Sequence, residues 1–340
     1  MPNLLPQKNS EILFIMIKAF KEIKDSLQHN ILNIPGWRTT RRILVIESDD
    51  WGSIRMPSTE IYSKFIASGY DIAGSDYNRL DTLESNTDLI ELFDVLTSFS
   101  DFKGNHPVIT ANFVVGNPDF KRIREADFHD YFYEPVTETL KRYPQRDLVE
   151  SLWKRGMEER VFRPQFHGRE HVNIVRWMEA LQRRTPEMMF TFDNETTFSG
   201  DGDYNFMEVL DYNTTSDLNL MKESLSEGLD VFEKIFGFRS VSFIPPCYTW
   251  SSDIEETLHN SGVKYIQGLV VQQVPTGRFG HYRRKVHFLG SRNRYGQYYL
   301  VRNSFFEPSL SGHTGEVDRC ISRIDKAFRW NKPADRKSVV

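Results

Sequence analysis

The chain has 340 residues, of which 39% are hydrophobic, 26% charged and 13% aromatic, with a net charge of -4 and a pI near 6.2. That length suits one α/β barrel or two smaller domains, and the apolar share is enough for a large core. The charge balance argues against a nucleic-acid partner, because lysine and arginine read as scattered rather than striped, while the surplus of rings suits stacking on flat ligands such as sugars.

Residues 1–40 read as an N-terminal helix packed on the domain. Ile12, Ile15, Ala19 and Ile23 fall on one stripe at helical spacing, and Glu11, Lys18, Lys21 and Asp25 lie elsewhere. Lys18 breaks the apolar run, which is too short for a secretory signal and far from the ~20 apolar residues of a transmembrane span. Peripheral membrane attachment is the alternative use of such a helix. The only cysteines are Cys247 and Cys320, with no CxxC pair, so neither a disulfide framework nor a thiolate zinc site is expected and a reducing, cytoplasmic location fits.

From 41 to 333 short apolar runs alternate with amphipathic stretches, the pattern of repeated βα units. Strands are expected at Ile43–Ser48, Val108–Val115, Val161–Phe166, Met188–Phe192, Val241–Ile244, Lys264–Gln267, Lys285–Leu289 and Tyr298–Ser304. Helices are expected at Ser58–Ser68, Asp88–Ser98, Asp147–Glu159, Val172–Gln182, Asp217–Phe236, Ser252–Asn260 and Glu316–Trp330. Ser252 and Glu255 have the spacing of a capping box, and Gly262 that of a helix stop. Nothing in the composition divides the chain, so it reads as a single α/β domain with Asp71–Arg79 and Pro118–Arg146 as long insertions over one face.

Residues just past the carboxyl ends of strands point into the ligand crevice of β/α folds. The first strand runs into Asp49-Asp50-Trp51-Gly52, the third into His167-Gly168-Arg169-Glu170-His171, and the fifth into Pro245-Pro246-Cys247-Tyr248-Thr249-Trp250. Two ionised carboxylates side by side repel unless a cation or a reaction uses them, and adjacent side chains point apart, so one can bind a metal while the other stays a base. The bland alternative is an N-cap Asp beside a surface Asp. His167 and His171 are four apart, which on a helix puts both on one face within reach of one ion. Asp50, His167 and His171 together make a set that leaves positions for water and substrate on a divalent metal, zinc first, with cobalt, manganese or nickel as alternatives.

These three motifs, IESDDWGS, FHGREH and FIPPCYTW, resemble in order and spacing those of the polysaccharide deacetylases, from the first strand to near the C-terminus. The resemblance implies a distorted, incomplete (β/α) barrel of about seven strands and a hydrolase that removes acetyl groups from a carbohydrate. It implies Asp50, His167 and His171 as metal ligands and Asp49 as the catalytic base. Pro245, Pro246 and Tyr248 would form groove wall, with a backbone amide near Tyr248 or Cys247 holding the oxyanion. The family's Arg before the Pro-Pro pair, which holds the catalytic Asp, is Ile244 here, so Asp49 lacks its expected partner and Arg163, Arg169 or another residue would have to replace it.

Trp51 and Trp250 are candidate sugar platforms, with packing as the alternative, and Asp193 and Glu195 follow an expected strand on the same rim. A glycoside hydrolase using Asp49 and Asp193 without metal, and a glycan-binding protein without catalysis, are the competing readings.

After the helix Glu316–Trp330 a further apolar strand is expected, but 334–340 read as a polar, non-native tail. Asp335 to Val340 is what GATCGGAAGAGCGTCGTG encodes, the start of a common sequencing-library adapter, and the resembling family carries its proton-donating His in this late region. Resequencing the locus from intact DNA is expected to show other codons after Pro333; these six codons followed by a genomic stop would overturn that reading.

Overall fold

In the computed structural model, which describes residues 24, 27–74, 76–198, 206–307 and 315–339, eight parallel strands make one curled sheet. The strands in chain order are β1 (Leu44–Trp51), β2 (Ile109–Val114), β3 (Gly116–Pro118), β4 (Tyr133–Pro135), β5 (Phe162–Gly168), β6 (Ser242–Phe243), β7 (Tyr265–Gly268), β8 (Val271–Pro275), β9 (Tyr282–Val286), β10 (Tyr298–Val301), β11 (Ser304–Phe305) and β12 (Ala334–Val339). The sheet order is β10-β7-β6-β5-β2-β1-β12-β11, and the pairs β3-β4 and β8-β9 are antiparallel hairpins outside it.

The two sheet edges, β10 and β11, do not pair, yet only Arg302 and Asn303 separate them in the chain. The Arg302 N–H donates to the Gly268 carbonyl on one side and the Asn303 N–H to the Asp335 carbonyl on the other. The barrel is therefore distorted and incomplete as expected, with eight strands rather than seven and a seam bridged by main chain.

Helices cover the outside. Thr215–Phe236 is bounded by a Thr214/Asp217 capping box and by Gly237 at φ 76°, and Asn86–Thr97 starts from a Ser85/Asp88 capping box. The main core lies between these helices and the sheet, with Phe113, Phe162, Phe166, Phe232 and Phe243 at its centre. A second cluster forms around Trp177, Phe120 and Phe192.

Four expectations change. Met188–Phe192 is not a strand but part of the helix Pro186–Asp193, because Thr185 caps it, Pro186 opens it, and Met188 and Phe192 bury one face at a spacing of four. Ser252 does not open a capping box. Ser251 caps a short 3-10 turn, Ser252–Ile254, and Glu255 is buried, accepting from Tyr299 Oη at 2.7 Å, Asn293 Nδ2 at 3.1 Å and Trp250 Nε1 at 3.2 Å. Lys285–Leu289 overlaps β9 of an external hairpin instead of lining the barrel.

The fourth change concerns the chain end, where Ala334–Val339 is no free tail but the strand between β1 and β11. Its composition is unlike the apolar run usual in a parallel strand with neighbours on both sides. The Asp335 carboxyl is buried, and burial together with the charge of Glu47 pushes its pKa well up.

The N-terminal stripe Ile12 to Ile23 lies outside the described residues. The helical turn at 27–32 does reach the barrel, since Trp330 Nε1 donates to Asn30 Oδ1 at 2.8 Å and Asn303 Nδ2 to Asn33 Oδ1 at 2.9 Å.

Gly156 lets its helix lie close to both the sheet and a neighbouring helix, because a Cβ there would lie 2.8 Å from Phe162 Cβ and 2.5 Å from Phe93 Cζ. Gly156→Ala is expected to lower stability by about 1–3 kcal/mol through overpacking, read as a lower midpoint in chemical denaturation.

Candidate metal centre

Asp49 and Asp50 sit at the carboxyl end of β1, where a regular strand would continue. The β1-β2 register shifts between Ser48 and Trp51, and Asp50 takes φ 66°, the left-handed region that a non-glycine residue avoids. Gly52 makes the turn possible, since a Cβ there would be 2.4 Å from the Val114 carbonyl oxygen. The irregularity sends the two carboxylates to different partners.

Asp50 Oδ1 lies 3.0 Å from His167 Nε2 and 3.2 Å from His171 Nε2, and the three ligand atoms fall within 4.8 Å of one another. His167 is on β5 and His171 in the loop after it, so the pair meets through a strand end and not along a helix face. His167 Nδ1 donates to the Ile244 carbonyl at 2.7 Å, which aims the Nε2 side at Asp50. His171 is buried and its Nδ1 has no hydrogen-bond partner among the described residues.

Burial works against the Asp50 carboxylate, but the charge of His171 and the hydrogen bonds from both histidines hold it well below the usual carboxylate range. Burial likewise lowers the His167 pKa, and the hydrogen bond to Asp50 with the charges of Asp50 and Asp49 reverses that to a net rise. One carboxylate oxygen faced by two imidazole nitrogens is a donor set that a divalent cation satisfies, with one oxygen and two nitrogen ligands. The residues fit such an ion.

Asp49 turns the other way. Arg302 Nη1 donates to its Oδ2 at 2.6 Å and Nη2 to its Oδ1 at 2.8 Å, while Asn112 Nδ2 donates to Oδ1 at 2.9 Å. The same guanidinium holds Glu47, which also accepts from Gln267 at 3.1 Å. The Arg302 side chain is 0% exposed. It stands where Asp49's expected partner was missing, arriving from the seam after β10 rather than from the loop before Pro245. Arg163 instead stacks on Phe238, and Arg169 pairs with Glu170 and Glu227.

A cavity of about 250 Å3 opens over Asp49, Asp50, His167 and His171. Ile244, Pro245, Cys247 and Tyr248 line it together with Arg55, Tyr77 and Met207. Arg55 is held by Asp81 at 3.1 Å, reaches to 3.5 Å from Asp50 Oδ2, and lies over the Tyr77 ring.

Several expected substrate contacts fall elsewhere. Trp51 is packed against Phe113 and Phe162, and Trp250 is enclosed with its Nε1 bonded to Glu255 and its ring stacked on His287, so neither face is open to a sugar. Pro246 is buried behind the cavity wall. Asp193 is exposed at the end of its helix and paired with Arg124, and Glu195 pairs with Arg142. The Tyr248 amide is not available for an oxyanion, because it donates to the Pro245 carbonyl at 3.0 Å. Arg302, Asn112, Glu47 and Arg55 were not among the expected site residues. Arg302 was concealed by an expected strand drawn through to Ser304, when the true strand ends at Val301 and makes Arg302 a strand-end residue like the others.

No protein-family model and no curated protein matches the sequence. Comparison with solved structures finds a 4-alpha-glucanotransferase from Thermococcus litoralis (9% identity, 67% of this chain and 22% of that one, TM-score 0.34). It also finds an alpha-amylase from Thermotoga maritima (9% identity, 77% and 46%, TM-score 0.36) and a polysaccharide deacetylase from Bacillus cereus (11% identity, 84% and 69%, TM-score 0.35). The chain thus spans less than half the length of the first two.

Arg302→Met leaves two buried carboxylates without their shared cation and is expected to lower unfolding stability by about 3–5 kcal/mol. Arg302→Lys, which has no fork, should recover only part of that loss. Equal denaturation midpoints for wild type and Arg302→Met would show that the network contributes nothing.

Proposed function

We propose that this protein is a metal-dependent hydrolase that removes acetyl groups from a carbohydrate. The observation that supports the reading best is the division of labour between neighbouring acids: Asp50 converges with His167 and His171, while Asp49 is held apart by Arg302 and Asn112 beside the same cavity. Asp50, His167 and His171 would hold the ion, zinc by preference. A divalent ion in that place polarises a carbonyl and makes a bound water acidic.

Asp49 takes a proton from the attacking water as its oxygen bonds to the acetyl carbon. The bond from that carbon to the sugar nitrogen or oxygen then breaks, acetate leaves, and the proton passes to the amine or alcohol. Arg302 keeps the Asp49 carboxylate in one orientation through its two-pronged contact. Ile244 serves through its backbone carbonyl, which orients His167 whatever the side chain, and Pro245 and Tyr248 shape the wall. The open cleft receives the acetylated unit and leaves the rest of a glycan outside. A cytoplasmic location belongs to this proposal; the observation itself is that no helix among the described residues is long and apolar enough to cross a membrane.

A glycoside hydrolase built on Asp49 and Asp193 has little support, because Asp193 is exposed and tied to Arg124. A glycan-binding protein without catalysis would suit an Asp49 that lacks an arginine partner, and the contact with Arg302 speaks against it.

Asp49→Asn is expected to retain bound metal by elemental analysis while turnover of an N- or O-acetylated oligosaccharide falls by about 10²–10⁴-fold. Asp50→Asn should lose the metal and the activity together. Metal lost in the first variant and activity kept in the second would reverse the two roles.

A further inference from the structure

Between Glu256 and Glu307 the sequence has no acidic residue but eight lysines and arginines, in a chain whose net charge is -4. The even scatter of cations read from the sequence does not hold over this stretch. Arg302 is enclosed in the Asp49 network, but Arg278, Arg283, Arg284, Lys285, Arg292 and Arg294 are all exposed, on the β8-β9 hairpin and the turn after it. None of these six makes an ion pair with a described residue. Arg292 and Arg294 lie on the rings of Tyr298 and Tyr295 instead, and the nearby Glu255 is buried and engaged by Trp250, Tyr299 and Asn293.

The same surface exposes large apolar side chains. Val271 and Val286 are cross-strand partners at 39% and 55% exposure, and Phe288 beyond them is at 41%. Along this segment Arg284, Val286 and Phe288 share one side by strand period, opposite the buried His287. The patch continues onto the N-terminal approach to the barrel. The Trp37 N–H donates to the Leu289 carbonyl at 2.7 Å, Trp37 packs on Gly290, and its ring is 52% exposed. Ile34 is exposed beside it, and Arg38, Arg41 and Arg42 follow, all three exposed and without ion pairs among the described residues.

We infer that this face, from Trp37 across Phe288 to the β8-β9 hairpin, docks the protein on an anionic lipid bilayer. Unpaired cations around exposed aliphatic and aromatic side chains match both layers of such a surface: the cations meet headgroup phosphates, and Trp37, Val286 and Phe288 enter the boundary beneath them. A soluble polyanion would use the cations but give the apolar residues nothing to bury against. The hairpin is also linked to the cavity wall through the chain, since Trp250 N donates to the Gln273 carbonyl at 3.1 Å and Gln272 Nε2 to the Trp250 carbonyl at 2.6 Å, tying β8 to the loop that carries Tyr248. The inference stands whether or not the proposed reaction does.

The test is sedimentation of the full chain with vesicles of phosphatidylcholine alone and of phosphatidylcholine mixed with phosphatidylglycerol. Binding is expected only to the mixed vesicles, with a blue shift of tryptophan emission that Trp37→Phe abolishes. Each cation near an anionic surface is worth about a fivefold change in affinity, so Arg284→Glu, on the side of Val286 and Phe288, should weaken binding by at least ~5-fold. Val286→Ser with Phe288→Ser should weaken vesicle binding while leaving retention on a soluble acidic polysaccharide unchanged. Circular dichroism and bound metal should match wild type in all of these surface variants. Equal sedimentation with both vesicle types, no sedimentation with either, or wild-type vesicle binding by Arg284→Glu or by the serine double variant would overturn the inference, the last by showing that attachment lies elsewhere or reads charge alone.

Discussion

One buried cation organises this protein. Arg302 crosses the seam of the barrel on its backbone and, with its side chain, holds Glu47 and Asp49 on β1, so the edge of the sheet and the floor of the cavity are joined by one residue. A guanidinium wholly removed from water is costly unless its donors are met, and here two carboxylates meet them. Burial pushes the Glu47 pKa up, with Asp49's charge adding to it, and Arg302 opposes both. Three groups that would each be unfavourable alone in the interior are therefore tolerable only together.

That network also explains how two adjacent acids can have different chemistry. Asp49 is committed inward by a planar fork and by Asn112, which leaves Asp50 to face the histidines. The strained φ of Asp50 and the register shift beside it are the backbone's share of the same arrangement. The centre then completes itself from β5 and from the Ile244 carbonyl, a backbone atom that a side-chain motif does not describe. Ile244 thus serves the geometry through its backbone, while the charge on Asp49 comes from another strand end.

Charge is also divided on the outside of the molecule. Elsewhere several surface arginines pair with nearby carboxylates, as the half-buried Arg239 does with Asp230 and Glu233, or the exposed Arg155 with Glu159. Among the described residues the cations of the β8-β9 hairpin have no such partners, and apolar side chains are exposed among them. Its attachment to the loop of Tyr248 means that the surface and the cavity share one structural element.

The sequence by itself determined the alternation that builds a β/α barrel and the strand ends on which Asp49, Asp50 and His167 lie. These depend on local periodicity and on where apolar runs stop, which a linear reading can follow. The sequence named His171 through a helix-face spacing, whereas a loop after the strand brings that ring in. It misjudged Met188–Phe192, because five apolar or β-compatible residues have no period of their own and the Thr185-Pro186 start decides for helix. It also placed Trp51 and Trp250 in the groove when both are enclosed, since neighbouring a motif in sequence does not say which way a ring turns. Only the tertiary structure decided that Asp49 has a cation, because Arg302 is 253 residues away and reaches it only through the closure of the barrel. Nor could a one-dimensional reading show that the stretch after the cationic hairpin and a tryptophan at position 37 are neighbours, because a loop contact brings them together.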